Sequence, residues 1–395
     1  MKLLAIETSC DDAGAAIVEG STINKPIKVL AETVATQIDL HAQYGGVFPE
    51  LAAREHFATV LPTVEAALKQ YAPNADPRET LKSLDGIAVT SGPGLIGSLL
   101  MGVTVAQTLG MALGKKLIPV NHMTGHIFST WLEDAQTVMG NGESGMGNSP
   151  ITHNPSLITP TFPALALTVS GGHTQLVWME SAGKFEVLGS TRDDAAGEAF
   201  DKVSVMLGLG YPGGPAIQKV AQEHKELLLH FPRPMINEGL TFSFSGLKTS
   251  VLYWLDKHPE APVEAVAYEV QEAITDVLVT KLLRAARQRN PKSLIVAGGV
   301  AANARLREKL TESVKILSSS TGSPEGETGS RIQNNLAGMS KQNLNYTVHF
   351  PSRLHSTDNA AMVGAAAIAM LVLGFNPVDP ASVEARSNWP LENWR

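Results

Sequence analysis

Leu3-Leu4-Ala5-Ile6-Glu7-Thr8-Ser9-Cys10-Asp11-Asp12-Ala13-Gly14-Ala15-Ala16-Ile17-Val18 is the stretch whose reading decides the fold. Two apolar runs flank a cluster of Thr, Ser and Asp, the grammar of a strand, a polar turn and a second strand. The same grammar returns at Ala164-Leu165-Ala166-Leu167-Thr168-Val169-Ser170-Gly171-Gly172-His173-Thr174-Gln175-Leu176-Val177-Trp178, with Ser-Gly-Gly-His-Thr at the turn. Each hairpin is followed by a strand, a Gly-rich turn and a helix. In the first half this is Ile87 to Gly94 and a helix reaching about Leu113; in the second it is Leu294 to Val300 and a helix from about Ala302. Such a long-range repeat marks a duplicated layout. Apolar strands alternating with helices build an α/β sheet with helices on its faces. The expectation is two similar lobes with a cleft between them, the turns at the strand ends facing that cleft.

Composition narrows the function classes. The chain has 395 residues, 44% hydrophobic and 17% charged. Those values exclude a disordered or fibrous chain, and the length favours two domains. One cysteine, Cys10, leaves no intramolecular disulfide and argues against a zinc–thiolate site. A net charge of -7 means no basic field over the whole surface, so nucleic acid must be met by a local patch or through a partner. The opening residues run straight into a strand pattern without a targeting segment. Two apolar stretches, Gly97 to Gly114 and Ala360 to Phe375, read as buried core helices rather than membrane spans. The expectation is a cytoplasmic chain without membrane contact. Its organisation reads as a first lobe over 1–136, a flexible connection over 137–161, and a second lobe over 162–356 with a loop insertion at 318–345. A C-terminal helix and tail over 357–395 would pack back on the first lobe.

His122-Met123-Thr124-Gly125-His126 is the sharpest local signal. On a helix, this spacing puts both imidazoles on one face, suited to one metal ion. The alternative is two histidines near a helix start, satisfied by backbone or solvent. A zinc metalloprotease helix would carry Glu directly after the first His, and Met123 stands there instead. Asp358, before the C-terminal helix, is either a helix N-cap or a third ligand. Two His and one carboxylate suit Fe(II) or Zn(II) with open positions for a substrate.

The Gly-rich turns form a second group. Ser170-Gly171-Gly172-His173-Thr174 lets amides and hydroxyls approach phosphate or carboxylate oxygens. Gly298-Gly299 with Asn303 at a helix start can cover an adenosine or a phosphate, and Tyr211-Pro212-Gly213-Gly214-Pro215 is a further tight turn. Asp201 is either a ribose ligand or part of a solvated helix face. Phe242 to Thr249 reads equally as a cleft loop or a capped helix start. Asp11 and Asp12 lie in the first hairpin turn. No phosphate-binding G-x4-G-K-[ST] loop occurs.

Taken together these motifs resemble the tRNA threonylcarbamoyladenosine synthase family, TsaD in bacteria, within the actin/hexokinase/Hsp70-like superfold. The resemblance runs nearly end to end: Ile6 to Asp12, His41 to Val47, Pro49 to Arg54, Ser91 to Leu95, His122 to His126, Val169 to Gln175 and Asp193 to Lys202. Tyr211 to Pro215, Phe242 to Thr249, Ala297 to Asn303 and Thr357-Asp358-Asn359 complete it. The resemblance implies His122, His126 and Asp358 as ligands of one divalent metal, Fe(II) or alternatively Zn(II). It places Ser170, within Thr168-Val169-Ser170-Gly171-Gly172, beside the metal and substrate. Asp201, Gly214 and Asn303 match positions for the adenylate moiety, and Asp11 an acidic position near the reacting centre. The implied reaction moves threonylcarbamoyl from threonylcarbamoyl-AMP to N6 of adenosine 37 of tRNA. The implied partners are tRNA, a TsaB-like paralogue and a TsaE-like ATPase. The stretches 137–161 and 318–345 depart from compact relatives. A sugar or acetate kinase of the same superfold, a metallo-glycopeptidase and a non-catalytic paralogue remain alternatives at this level.

Overall fold

The computed structural model describes residues 1–139, 159–224, 229–318 and 346–393. Most of the expected connection over 137–161 and of the insertion at 318–345 lies outside these residues. The chain divides into two compact units, Met1–Gln136 with Ser181–Glu186 and Pro351–Arg395, and Thr137–Glu180 with Val187–Phe350.

The first unit is built on strands β1 (Lys2–Glu7), β2 (Ala13–Glu19), β3 (Lys28–Ala35), β4 (Gly86–Gly92) and β5 (Leu117–Asn121), in the order β3-β2-β1-β4-β5. β1 runs antiparallel to β2 and parallel to β4, and β4 runs parallel to β5. Leu3, Leu4, Ala5 and Ile6 are buried together. Both faces of the strand are therefore covered, which is why it reads as an unbroken apolar run. Its helices are α1 (Ile38–Ala42), α2 (Pro49–Tyr71), α3 (Pro77–Ser83), α4 (Ile96–Leu113) and α5 (His122–Phe128), joined late in the chain by the helix Ala360–Val372. The expectation of a buried core helix over Gly97 to Gly114 needs correction. α4 buries Ser98, Leu99, Gly102, Val103 and Ala106 on one face and exposes Ile96, Leu100 and Met111. It is long and apolar enough to cross a membrane by length and composition, and it packs on β4 and α2.

The second unit is built on a sheet of β6 (Gln136–Met139), β7 (Ala164–Val169), β8 (Thr174–Ser181), β9 (Lys184–Ser190), β10 (Ser293–Ala297) and β11 (Thr347–Phe350), in the order β6-β11-β10-β7-β8-β9. Here too the first strand is antiparallel to its hairpin mate and parallel to the later strand, and that strand to the next. β7, β8, β9, β10 and β11 thus repeat the order of β1 to β5, with β6 added at the edge. Its helices are α6 (Ala196–Met206), α7 (Gly213–Ala221), α8 (Ser245–Lys257), α9 (Val263–Arg289) and α10 (Ala304–Ser318); the helix Ala360–Val372 is α11. α9 carries the buried charges Glu269, Glu272, Asp276 and Lys281. The three carboxylates survive burial because they are paired: Lys309 Nζ lies 2.6 Å from Asp276 and 3.0 Å from Glu272, and Arg233 bonds Glu269 and Asp276; Lys281 instead donates to the carbonyls of Glu238 and Gly239.

Residues 351–356, read from sequence with the second lobe, belong to the first unit. His355 lies between Glu32 on its Nε2 side and Asp134 on its Nδ1 side, each at 2.9 Å. The other oxygen of Glu32 accepts the N–H of Ala361 at 3.1 Å, so one carboxylate joins β3 to the first turn of α11. α11 is buried from Ala360 to Met370. Its small residues allow that: a Cβ on Gly364 would stand 2.4 Å from Val18 Cγ2, and one on Gly14 of β2 3.0 Å from Ala360 N.

Candidate functional site

The end of β5 hands directly to α5. Asn121 caps that helix, its Oδ1 accepting from Met123 N at 2.9 Å and Thr124 N at 3.4 Å, while its Nδ2 donates to Trp389 O at 3.0 Å. The cap orients the whole helix, and His122 and His126 follow on one face, 4.6 Å apart between ring centroids. Asp358 arrives from the segment before α11. Its Oδ1 lies 3.2 Å from His126 Nε2 and 3.7 Å from His122 Nε2. Asp358 is not the helix cap that its position allowed. Asn359 is, with Oδ1 accepting from Met362 N at 2.8 Å, and this leaves the Asp358 carboxylate directed at the histidine pair.

The three groups fit a divalent cation. One ligand atom from each of His122, His126 and Asp358 lies within 4.8 Å of the others. His126 is fully buried; its Nδ1 has no hydrogen-bond partner, and its Nε2 has only the Asp358 carboxylate beside it at 3.2 Å, without hydrogen-bond geometry. A buried imidazole so poorly satisfied is costly unless something else occupies its lone pair. Surrounding charge points the same way. Asp12 is pushed up to about 7 by burial and by the neighbouring charges of Asp11 and Asp358. His122 is pulled down by burial, yet Asp358 and Glu7 outweigh that and push it up to about 9. The cluster is short of positive charge, which a metal ion supplies. Asp11 is a member of this negative cluster, in the turn after β1.

Behind His122 stands a residue whose role the sequence alone does not reveal. Glu7, the last residue of β1, is fully buried and lies 3.2 Å from His122 Nδ1. The sequence offers one local hint, a carboxylate directly after the apolar run Leu3–Ile6, but not its partners.

The other sequence-level site residues lie in the second unit. Thr168 and Val169 end β7, and Ser170 to His173 make the turn to β8, where Ser170 N donates to His173 O at 2.8 Å and Ser170 Oγ accepts from His173 N at 3.2 Å. Thr168 Oγ1 is buried without a hydrogen bond. Two backbones close on this turn: a Cβ at Gly298 would meet Val169 O at 2.4 Å, and one at Gly197 Ser170 O at 2.6 Å. Gly171 and Gly172 have open space where a side chain would stand. Asp201 is not a solvated face, for its Oδ1 accepts Gly213 N at 2.7 Å and fixes the start of α7, next to Gly214. Gln218 of α7 accepts Ala304 N at 2.7 Å. Asn303 accepts Leu306 N and donates to Gln271, both at 3.0 Å. Asp201, Gly214 and Asn303 are thus tied together through α7 and the start of α10. Phe242 to Thr249 proves to be a capped helix start, with Asp193 Oδ1 accepting Phe244 N at 2.8 Å and Ser245 N at 3.3 Å.

The chain matches the model of the TsaD family, described as tRNA N6-adenosine threonylcarbamoyltransferase, over residues 28–140 and 150–325. It is 41% identical to a protein of that description from Carboxydothermus hydrogenoformans, covering 92% of this chain and 90% of the relative. It is 40% identical to one from Syntrophotalea carbinolica, covering 99% and 97%. Among solved structures, HypF from T. kodakarensis superposes with a TM-score of 0.52 at 13% identity, covering 95% of this chain and 48% of that one. At that identity the likeness concerns the fold alone, and with the repeated sheet order it bears out the two-unit α/β class of the actin/hexokinase/Hsp70-like superfold.

Proposed function

Because the chain belongs to the TsaD family of tRNA N6-adenosine threonylcarbamoyltransferases, we propose that its donor is threonylcarbamoyl-AMP and its acceptor N6 of adenosine 37 in tRNAs reading codons that begin with A. The N6 lone pair attacks the carbamoyl carbonyl carbon. The bond from that carbon to the phosphate oxygen breaks, AMP leaves with the electron pair, and N6 gives up a proton. The amine is a weak nucleophile, so rate depends on holding the carbonyl in line and stabilising its developing charge.

The observation that carries this reading is the convergence of His122 Nε2, His126 Nε2 and Asp358 Oδ1. These residues would hold one divalent ion, Fe(II) or Zn(II). When bound, it would supply Lewis-acid charge and a template for the donor. In the second unit, the amides of Gly171 and Gly172 and the Ser170 hydroxyl receive the donor's oxygens, together with the end of β7 at Thr168 and Val169. Asp201, Gly214 and Asn303 receive the adenylate. Asp11 is the acidic group of the reacting centre.

We assign it to the cytoplasm, where it works with a TsaB-like paralogue and a TsaE-like ATPase. Support for a protein partner comes from α2 and α4, which pack together and expose Phe57 (82%), Leu61, Ile96 and Leu100. The test is a transfer assay with preformed threonylcarbamoyl-AMP and unmodified tRNA, beside nucleoside analysis of tRNA after depletion of this protein. Unchanged threonylcarbamoyladenosine on depletion, with no transfer in the assay, overturns the reading.

A further inference from the structure

Glu7 is a carboxylate at the buried end of β1, with no role in the chemistry so far. Three donors converge on it. Its Oε1 accepts Ser9 N at 2.5 Å, and its Oε2 accepts Thr90 Oγ1 at 2.6 Å and faces His122 Nδ1 at 3.2 Å. Ser9 Oγ stands 3.0 Å from the same ring nitrogen. The Nδ1 edge of His122 is therefore held from behind, while its Nε2 is directed at Asp358. His126 has no such support, since its Nδ1 lacks a hydrogen-bond partner.

An ionised carboxylate has no hydrogen to give, so the hydrogen between Glu7 and His122 belongs to Nδ1. A neutral ring then carries its lone pair on Nε2, the atom that faces the other two groups. The hydrogen bond also makes the ring a stronger donor and restrains its rotation. We propose that Glu7 is the positioning carboxylate of the metal centre: it fixes His122 with its hydrogen on Nδ1 and its Nε2 lone pair aimed at the cation shared with His126 and Asp358. Ser9 and Thr90 hold Glu7 in that role, and Glu7 itself touches neither cation nor substrate. The two histidines are therefore unequal, His122 anchored and basic, His126 the more loosely held ligand. This proposal rests on the metal-centre reading given above.

The test uses the full chain with Zn2+ alone as probe, its affinity measured by competition with a chromophoric chelator. Glu7→Gln should weaken binding by roughly 10- to 100-fold while the far-ultraviolet circular dichroism stays that of the parent. Glu7→Asp, which restores the charge with a shorter reach, should recover part of the loss. Thr90→Val, which removes a donor to Glu7 but leaves His122 facing a carboxylate, should cost less than Glu7→Gln. Nitrogen-15 spectra of the histidine-labelled parent loaded with Zn2+ should show His122 metallated at Nε2 with its Nδ1 hydrogen retained, a readout that stands even if Glu7→Gln does not fold. Parental affinity in a folded Glu7→Gln, or metallation at Nδ1, overturns the role of Glu7 and leaves the metal centre standing. A parent that binds no Zn2+ overturns the metal centre, and this proposal with it.

Discussion

Asp358 is the residue on which the site turns. One position along, Asn359 takes the helix cap, and this swap frees a carboxylate for the histidines. Asp358→Asn and His126→Ala should each abolish transfer and metal retention with the circular dichroism unchanged, checked by elemental analysis of the purified variants. Full metal content together with full activity in either variant would sink the assignment. Two adjacent glycines offer a sharper contrast. A Cβ at Gly213 would lie 2.5 Å from both Asp201 Cα and Phe200 O, whereas Gly214 has nothing within 4 Å. Gly213→Ala should cost roughly 1–3 kcal/mol of stability, as overpacking does. Gly214→Ala should leave the melting temperature within a degree or so of the parent while raising the KM for the adenylate donor. Equal melting temperatures for the two variants would contradict the close approach. The His-x3-His spacing was legible because helical periodicity is a local property. Glu7 was not legible, because its partners Thr90 and His122 come from other elements of the sheet and from α5.

Strands and turns were readable from period and composition, and β1, β4, β7 and β10 lie where apolar runs end in polar or Gly-rich turns. α9 is hard to read from sequence, because its paired charges break the apolar stripe that marks a core helix. Between elements, the clamp Asp134–His355–Glu32 joins β3, the segment after α5 and the approach to α11. Burial lowers the pKa of His355, but its bonds to Asp134 and Glu32 outweigh this and push it up from 6.5 to about 9. A raised folded value means that the clamp is fully present below pH 6.5 and is lost as pH rises through about 9. Asp134 is shifted down: burial opposes ionisation, but the bond to His355 prevails, so its contribution fades only as the solution turns strongly acid. Melting temperature should therefore fall by a few degrees between pH 7 and pH 9.5, and His355→Gln should lower it at pH 7 and flatten that slope. An unchanged slope in the variant would show that the clamp does not stabilise the first unit.

At the scale of the whole molecule, the net charge of -7 leaves this chain poorly equipped to grip tRNA alone. α2 and α4 expose Phe57, Leu61, Ile96 and Leu100, the face on which the proposed paralogue would bind. The isolated chain should transfer slowly from threonylcarbamoyl-AMP, and a TsaB-like paralogue with a TsaE-like ATPase should restore the rate. Phe57→Asp should remove that stimulation without lowering the melting temperature, since the ring is 82% exposed. Rapid multiple turnover by the isolated parent would point instead to a self-sufficient enzyme.

By itself the sequence determined the duplicated α/β class, the polar and Gly-rich turns at the strand ends and the paired histidines, because each is written in residues close together along the chain. Only the tertiary structure decided that Asn359 rather than Asp358 caps α11, what stands behind His122, and how Asp201, Gly214 and Asn303 are joined. Those outcomes depend on α11 seating against β1 and β2 through Gly364 and Gly14, and on α7 meeting the start of α10 through Gln218. Contacts between residues so far apart in sequence are set by packing, which local periodicity does not encode.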